Sequence, residues 1–142
     1  MSREEDTNVN GSKTILVIED SPVQAFAMIQ LLEQHGLNVL CAPDGLAGVT
    51  LAEKSHPDLI ILDIQMPGMD GLETCHLLKQ NPAFQDVPVI FLTAYGEPEK
   101  LRKGLNEGAV DFIPKDAFTD IVLVKTLQEL DMILDEVAED DK

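Results

Sequence analysis

Apolar residues in this chain come in short unbroken runs, and four of those runs end on a polar residue able to do chemistry. Ile15-Leu16-Val17-Ile18 runs into Glu19-Asp20, and Leu59-Ile60-Ile61-Leu62 into Asp63. Val89-Ile90-Phe91-Leu92 runs into Thr93, and the shorter Phe112-Ile113-Pro114 into Lys115. Runs of this kind, rich in β-branched residues and without polar alternation, are expected of strands buried on both faces of a parallel sheet. Strands are therefore predicted over 13–19, 37–41, 58–62, 87–92 and 111–114. Pro114 cannot donate a ladder hydrogen bond, so the fifth strand belongs at a sheet edge.

Helical signals fill the gaps. Ser21-Pro22 offers an N-cap side chain followed by proline at the first helical position. The helix it starts runs through Phe26, Ile29 and Leu32, and Gly36 allows a left-handed cap at its end. A second helix follows Pro43-Asp44-Gly45 through Ala47, Leu51 and Ala52, and a third covers Leu72–Gln80 before Asn81-Pro82 breaks it. A fourth carries Leu101 and Leu105, and a long last helix spans Phe118–Val137. Five strand–helix alternations predict an α/β fold: a flavodoxin-like, doubly wound, five-stranded parallel sheet of order 2-1-3-4-5 with five helices, in a single domain. Residues 1–12 read as a flexible leader, 13–137 as the domain and 138–142 as an acidic tail. Leu123, Leu127, Leu130, Leu134 and Val137 alternate steps of four and three on the last helix. Core packing is expected of them, since about two heptads are too few for a coiled coil.

Charge narrows the partners. With 26 acidic and 10 basic residues the chain carries a net charge of −16. Phosphate contacts need clustered Lys and Arg, so no nucleic acid is expected, and no anionic membrane surface. No apolar stretch approaches the ~20 residues of a membrane helix, and the N-terminus is acidic, unlike a signal peptide. A cytoplasmic protein is expected. Cys41 and Cys75 lack a CxxC pattern and read as reduced thiols. His35, His56 and His76 fall at no strand end and read as surface or helix-cap residues. Met66 and Met69 read as packing residues of their loop.

In a doubly wound sheet ligands bind beyond the carboxyl ends of the strands. Neighbouring strands lie about 4.8 Å apart, so Glu19, Asp20 and Asp63 would meet there. Two like charges at ~4 Å repel by roughly 4 kcal/mol at an effective dielectric near 20. A hard divalent cation is the natural remedy, and few carboxylates with room for water favour Mg²⁺ (or Mn²⁺) over Ca²⁺. Lys115 and Thr93 at the same edge suit an arriving anion, and the small Ala94 leaves its amide open to it. Asp63, ending the central strand, is the best nucleophile, and phosphoryl transfer to it is the expected reaction.

These residues resemble the receiver domain of two-component response regulators (CheY-like). The resemblance is carried by Ile18-Glu19-Asp20-Ser21, by Ile61-Leu62-Asp63-Ile64-Gln65-Met66-Pro67-Gly68-Met69-Asp70-Gly71, by Leu92-Thr93-Ala94 and by Phe112 with Lys115, across about residues 13–135. It implies Asp63 as phosphoacceptor, Asp20 as a direct Mg²⁺ ligand, Glu19 as a ligand through water, and the Gln65 backbone carbonyl as a further ligand. It also implies Thr93 as switch hydroxyl, Phe112 as switch aromatic and Lys115 as the phosphate-pairing lysine. The implied donor is a sensor histidine kinase or phosphotransfer protein. The face of the fourth helix, fifth strand and fifth helix would then bind a downstream protein target, or a second copy of the chain. Such a module is no enzyme beyond catalysing its own phosphorylation and dephosphorylation.

Two departures stand out. The family usually has a cis proline directly after the lysine, whereas Asp116 stands here and Pro114 precedes. Tyr95 is bulky where water approaches the phosphoryl group, which predicts slow self-dephosphorylation. Three alternatives remain: a receiver piece of a larger regulator or hybrid kinase, an aspartyl-nucleophile phosphatase, and a receiver-shaped scaffold that is never phosphorylated. The phosphatase chemistry wants an acid two residues after the nucleophile, where Gln65 stands, and the complete acid, hydroxyl and lysine set argues against the scaffold.

Overall fold

Five parallel strands form one sheet in the order β2-β1-β3-β4-β5. They are β1 (Thr14–Ile18), β2 (Asn38–Ala42), β3 (Leu59–Asp63), β4 (Val89–Thr93) and β5 (Asp111–Pro114). The structure is a computed structural model that describes residues 12–94, 106, 108 and 111–133. Among these, the α-helices are α1 (Pro22–Gln34), α2 (Gly45–Ser55), α3 (Gly71–Lys79) and α4 (Thr119–Glu129), with a 3₁₀ turn at Pro82–Phe84. The expected helix through Leu101 and Leu105 lies outside the described residues, as do the leader through Gly11 and the tail. Among the described residues no helix is long and apolar enough to cross a membrane.

The unbroken apolar runs follow from the layering. Side chains of a strand alternate between its two faces, and here both faces are covered. Leu16, Ile18, Ile60, Leu62 and Phe91 pack with Ala52 of α2 and with Cys75 and Leu78 of α3. Ile15, Val17, Ile61, Ile90 and Leu92 pack with Leu32 of α1 and with Leu123 and Leu127 of α4. Every residue of β3 and β4 is buried. Polar strand ends then help to set register, because a slip of one residue would carry Glu19 or Asp63 into an apolar layer at a cost. β5 lies at the sheet edge, as Pro114 requires.

Strand and helix bounds agree with the sequence signals to one or two residues, except at the last helix. It ends at Glu129, eight residues short of Val137. Asp131 is left-handed at φ 63°, its N–H reaches the Gln128 carbonyl, and the Met132 N–H reaches back to Leu127 O at 2.9 Å. This closing motif returns Met132 and Ile133 to the core beside Leu127. Leu123 and Leu127 are fully buried, as core packing requires, while Leu134 and Val137 lie outside the described residues. The same motif ends α1, with Gly36 at φ +82° and Leu37 N–H on Leu32 O.

His35 and His56 cap α1 and α2 at their C-termini, and all three histidines are exposed. Cys41 and Cys75 are free thiols, the first exposed and the second buried. Phe26 points outward, 62% exposed, while Ala25 and Leu32 hold α1 to the sheet.

Candidate functional site

The carboxyl ends of β1, β3, β4 and β5 converge as the topology demands. Glu19 follows β1, and its N–H still pairs with Ala42 O of β2. Asp63 closes β3 and Thr93 closes β4, both 4% exposed. Lys115 follows β5, its N–H bonded to Thr93 O at 2.7 Å. Glu19, Asp20 and Asp63 each offer a carboxylate oxygen, and these oxygens lie within 4.8 Å of one another. Glu19 and Asp63 are buried and Asp20 is exposed.

The Lys115 ammonium faces this acidic trio. Lys115 Nζ lies 3.0 Å from Asp63 Oδ2, 3.2 Å from Glu19 Oε1 and 2.8 Å from the Gln24 side-chain oxygen. Asp63 Oδ1 accepts the Gln65 N–H at 3.2 Å. Glu19 Oε2 accepts the Ser21 N–H at 3.1 Å. Burial pushes the Glu19 carboxyl above its ordinary range, and the neighbouring Asp63 charge adds to this. The Ser21 amide and Lys115 pull the other way without overcoming it. Among the described residues a single cation stands against three carboxylates, which leaves negative charge uncompensated. Oxygen donors this close, two of them buried, fit a hard divalent cation.

A glycine sets the far wall. A Cβ on Gly71 would collide with the Asp63 carbonyl oxygen and the Ile64 Cα, so only glycine lets α3 begin this close to the acid. Its N–H binds Ile64 O at 2.9 Å, and Asp70 and Glu73 close a reciprocal cap around the helix start. Met66 is buried in the core, and Met69 packs against the start of α2, whose Gly45 leaves it room.

Phe112 stands opposite Phe91 in the ladder and is half-buried against the core. Ala94 is partly buried just past Thr93, and Tyr95 lies outside the described residues. After Lys115 the loop is tied by side chains. Asp116 Oδ1 accepts the Phe118 N–H at 2.8 Å, and Thr119 Oγ1 accepts the Asp116 N–H and donates to Pro114 O, both at 2.8 Å. No peptide bond among the described residues is cis. The structure thus gathers Glu19, Asp20, Asp63, Gln65, Thr93, Ala94 and Lys115 at one edge. Gln24 joins them without ending any strand. Its one sequence signal is the Ser21-x-x-Gln24 spacing of a helix cap.

The response regulator receiver domain profile matches residues 15–128. The chain belongs to this family. It is 34% identical over 113 residues to the protein PilH of Pseudomonas aeruginosa, covering 80% of this chain and 93% of PilH. It is 33% identical over 131 residues to the response regulator PleD of Caulobacter vibrioides, covering 90% of this chain but 29% of PleD. Chemotaxis protein CheY4 of Vibrio cholerae superposes with a TM-score of 0.79 at 30% identity, over 83% of this chain and 98% of that one. The receiver domain of a Pseudomonas aeruginosa sensor histidine kinase, solved with magnesium coordinated in its active-site cleft, superposes at 0.75 with 29% identity, over 83% and 96%. The receiver fold, with its five parallel strands in the order 2-1-3-4-5, is therefore shared with proteins of two-component signalling.

Proposed function

We propose that the protein is a single-domain response regulator that accepts a phosphoryl group on Asp63 from the phosphohistidine of a sensor histidine kinase or phosphotransfer protein. An Asp63 carboxylate oxygen attacks phosphorus, the P–N bond to the donor imidazole breaks, and the imidazole leaves with its electron pair and takes up a proton. Glu19, Asp20 and Asp63, with the Gln65 carbonyl, would hold Mg²⁺ (or Mn²⁺), which when bound neutralises charge developing on the transferred group. Lys115 pairs with one phosphoryl oxygen, and the Thr93 hydroxyl with another. The observation that carries this reading is Asp63, buried at the end of β3, 3.0 Å from Lys115 and beside two further carboxylates.

The added charge then biases a two-state element. Thr93 is drawn toward the phosphoryl group, and Phe112, already half-buried opposite Phe91 on the neighbouring strand, turns further inward. The face formed by β5, α4 and the helix expected before β5 changes its affinity for a downstream protein. Phe118, Ile121 and Val122 leave apolar surface exposed on and just before α4, as a docking face would. The Asp63→Asn variant tests the acceptor. Incubated with acetyl phosphate and Mg²⁺, wild type should gain one phosphoryl mass and the variant none. Equal uptake by both would overturn the assignment.

A further inference from the structure

Among the described residues, two helices begin with the sequence signature of a reciprocal cap, and one of them completes it. At α3, Asp70 Oδ1 accepts the Glu73 N–H at 2.9 Å, and Glu73 Oε1 reaches back to the Asp70 N–H at 3.1 Å. At α1, Ser21 Oγ accepts the Gln24 N–H at 3.3 Å, which is the first half of the same arrangement. The second half is missing because Glu19 Oε2 already occupies the Ser21 N–H. Gln24 Oε1 is left to find another donor, and it lies 2.8 Å from Lys115 Nζ.

We propose that Gln24 is a positioning residue for Lys115, holding the ammonium in its working orientation because Glu19 has taken the amide that Gln24 would otherwise cap. An ammonium has three hydrogens to donate, and its three acceptors are Glu19, Asp63 and Gln24. Two of these belong to the acidic trio, whose oxygens are called on elsewhere when a cation or a phosphoryl group arrives. Gln24 is neutral, sits on a helix and stands outside that trio, so it is the partner Lys115 keeps while a hydrogen passes to a phosphoryl oxygen. The contact also spans an open groove of ≈ 260 Å³, between Gln24, Ala27 and Met28 of α1 and Lys115, Asp116 and Thr119 on the other wall. A flexible lysine tail tethered across that groove meets the incoming group already aimed. The inference rests on Asp63 being the acceptor.

Its test uses the full chain carrying Gln24→Leu, which fills similar space without an acceptor, or Gln24→Glu, which keeps one. Three readouts are taken: the Lys115 ammonium signal in a ¹H–¹⁵N spectrum, phosphoryl uptake from acetyl phosphate by intact mass, and the thermal midpoint. Gln24→Leu should lose the ammonium signal to solvent exchange and take up phosphoryl about three- to tenfold more slowly, the loss expected for an ordinary net hydrogen bond at a solvent-exposed contact. Gln24→Glu should keep the signal, and both variants should melt with wild type. A Lys115 signal unchanged in Gln24→Leu, or uptake at the wild-type rate, overturns the proposal, and so does a slowing matched by an equal loss of midpoint in both variants. If wild type takes up no phosphoryl group, the Asp63 reading fails by itself, and the ammonium signal still decides whether Gln24 holds Lys115.

Discussion

The starts of α1 and α3 are built from the same local grammar and come to different ends. Each follows an acidic strand terminus, and each has a capping residue with a Glu or Gln three positions on. At α3 the cap closes on itself and the helix start is self-sufficient. At α1 the strand-end acid intrudes, Ser21 is served by Glu19, and Gln24 turns to Lys115. Local propensity is identical in kind, so the difference comes from what the neighbouring strands deliver to each helix. The chain leaving β3 delivers backbone, an Ile64 carbonyl for the Gly71 N–H, whereas the chain leaving β1 and β5 delivers charged side chains. One helix start is a structural clamp and the other is part of the site.

The comparison can be broken most severely at Gly71. Gly71→Ala should push α3 off the end of β3 and cost about 1–3 kcal/mol, the usual range for overpacking, read from the midpoint of urea denaturation. A loss below a few tenths would mean the close approach is not structural. A smaller effect separates the two caps directly. Asp70→Ala should cost about 1 kcal/mol and Ser21→Ala about 0.5 kcal/mol, since only the former opens a closed reciprocal cap. Equal losses would erase the distinction.

The smallest effect concerns Glu19 and depends on pH. Its carboxyl is raised in the folded protein, chiefly by burial, so the folded state carries the ionised form at a cost that the unfolded chain does not bear. In the metal-free protein that cost is absent below the ordinary value of 4.5 and is incurred as pH rises through the raised one. Glu19→Gln should therefore melt above wild type at pH 7 in chelator, and the gain should vanish below pH 4.5. A gain that stays constant across that range would place its origin elsewhere.

Much of this site was legible before any tertiary structure. Glu19, Asp20, Asp63, Thr93 and Lys115 announce themselves because each ends an apolar run, and in a parallel sheet all such ends lie at one edge. Pro114 marked the edge strand because it lacks an N–H. The end of α4 was not legible. The leucine spacing continues to Val137, and only the packing of Met132 and Ile133 against the core makes a left-handed turn at Asp131 worthwhile. Gln24 was hidden for a related reason, since its spacing advertises a helix cap and not a partner 91 residues away.

Sequence by itself determined the layer order and the chemical character of the edge, because strand burial and crossover handedness leave few ways to arrange such runs. Tertiary structure alone decided which hydrogen-bond donors each acid would claim. Capping amides, an ammonium and carboxylates compete within a few ångströms, and only their positions in space settle which pairs form.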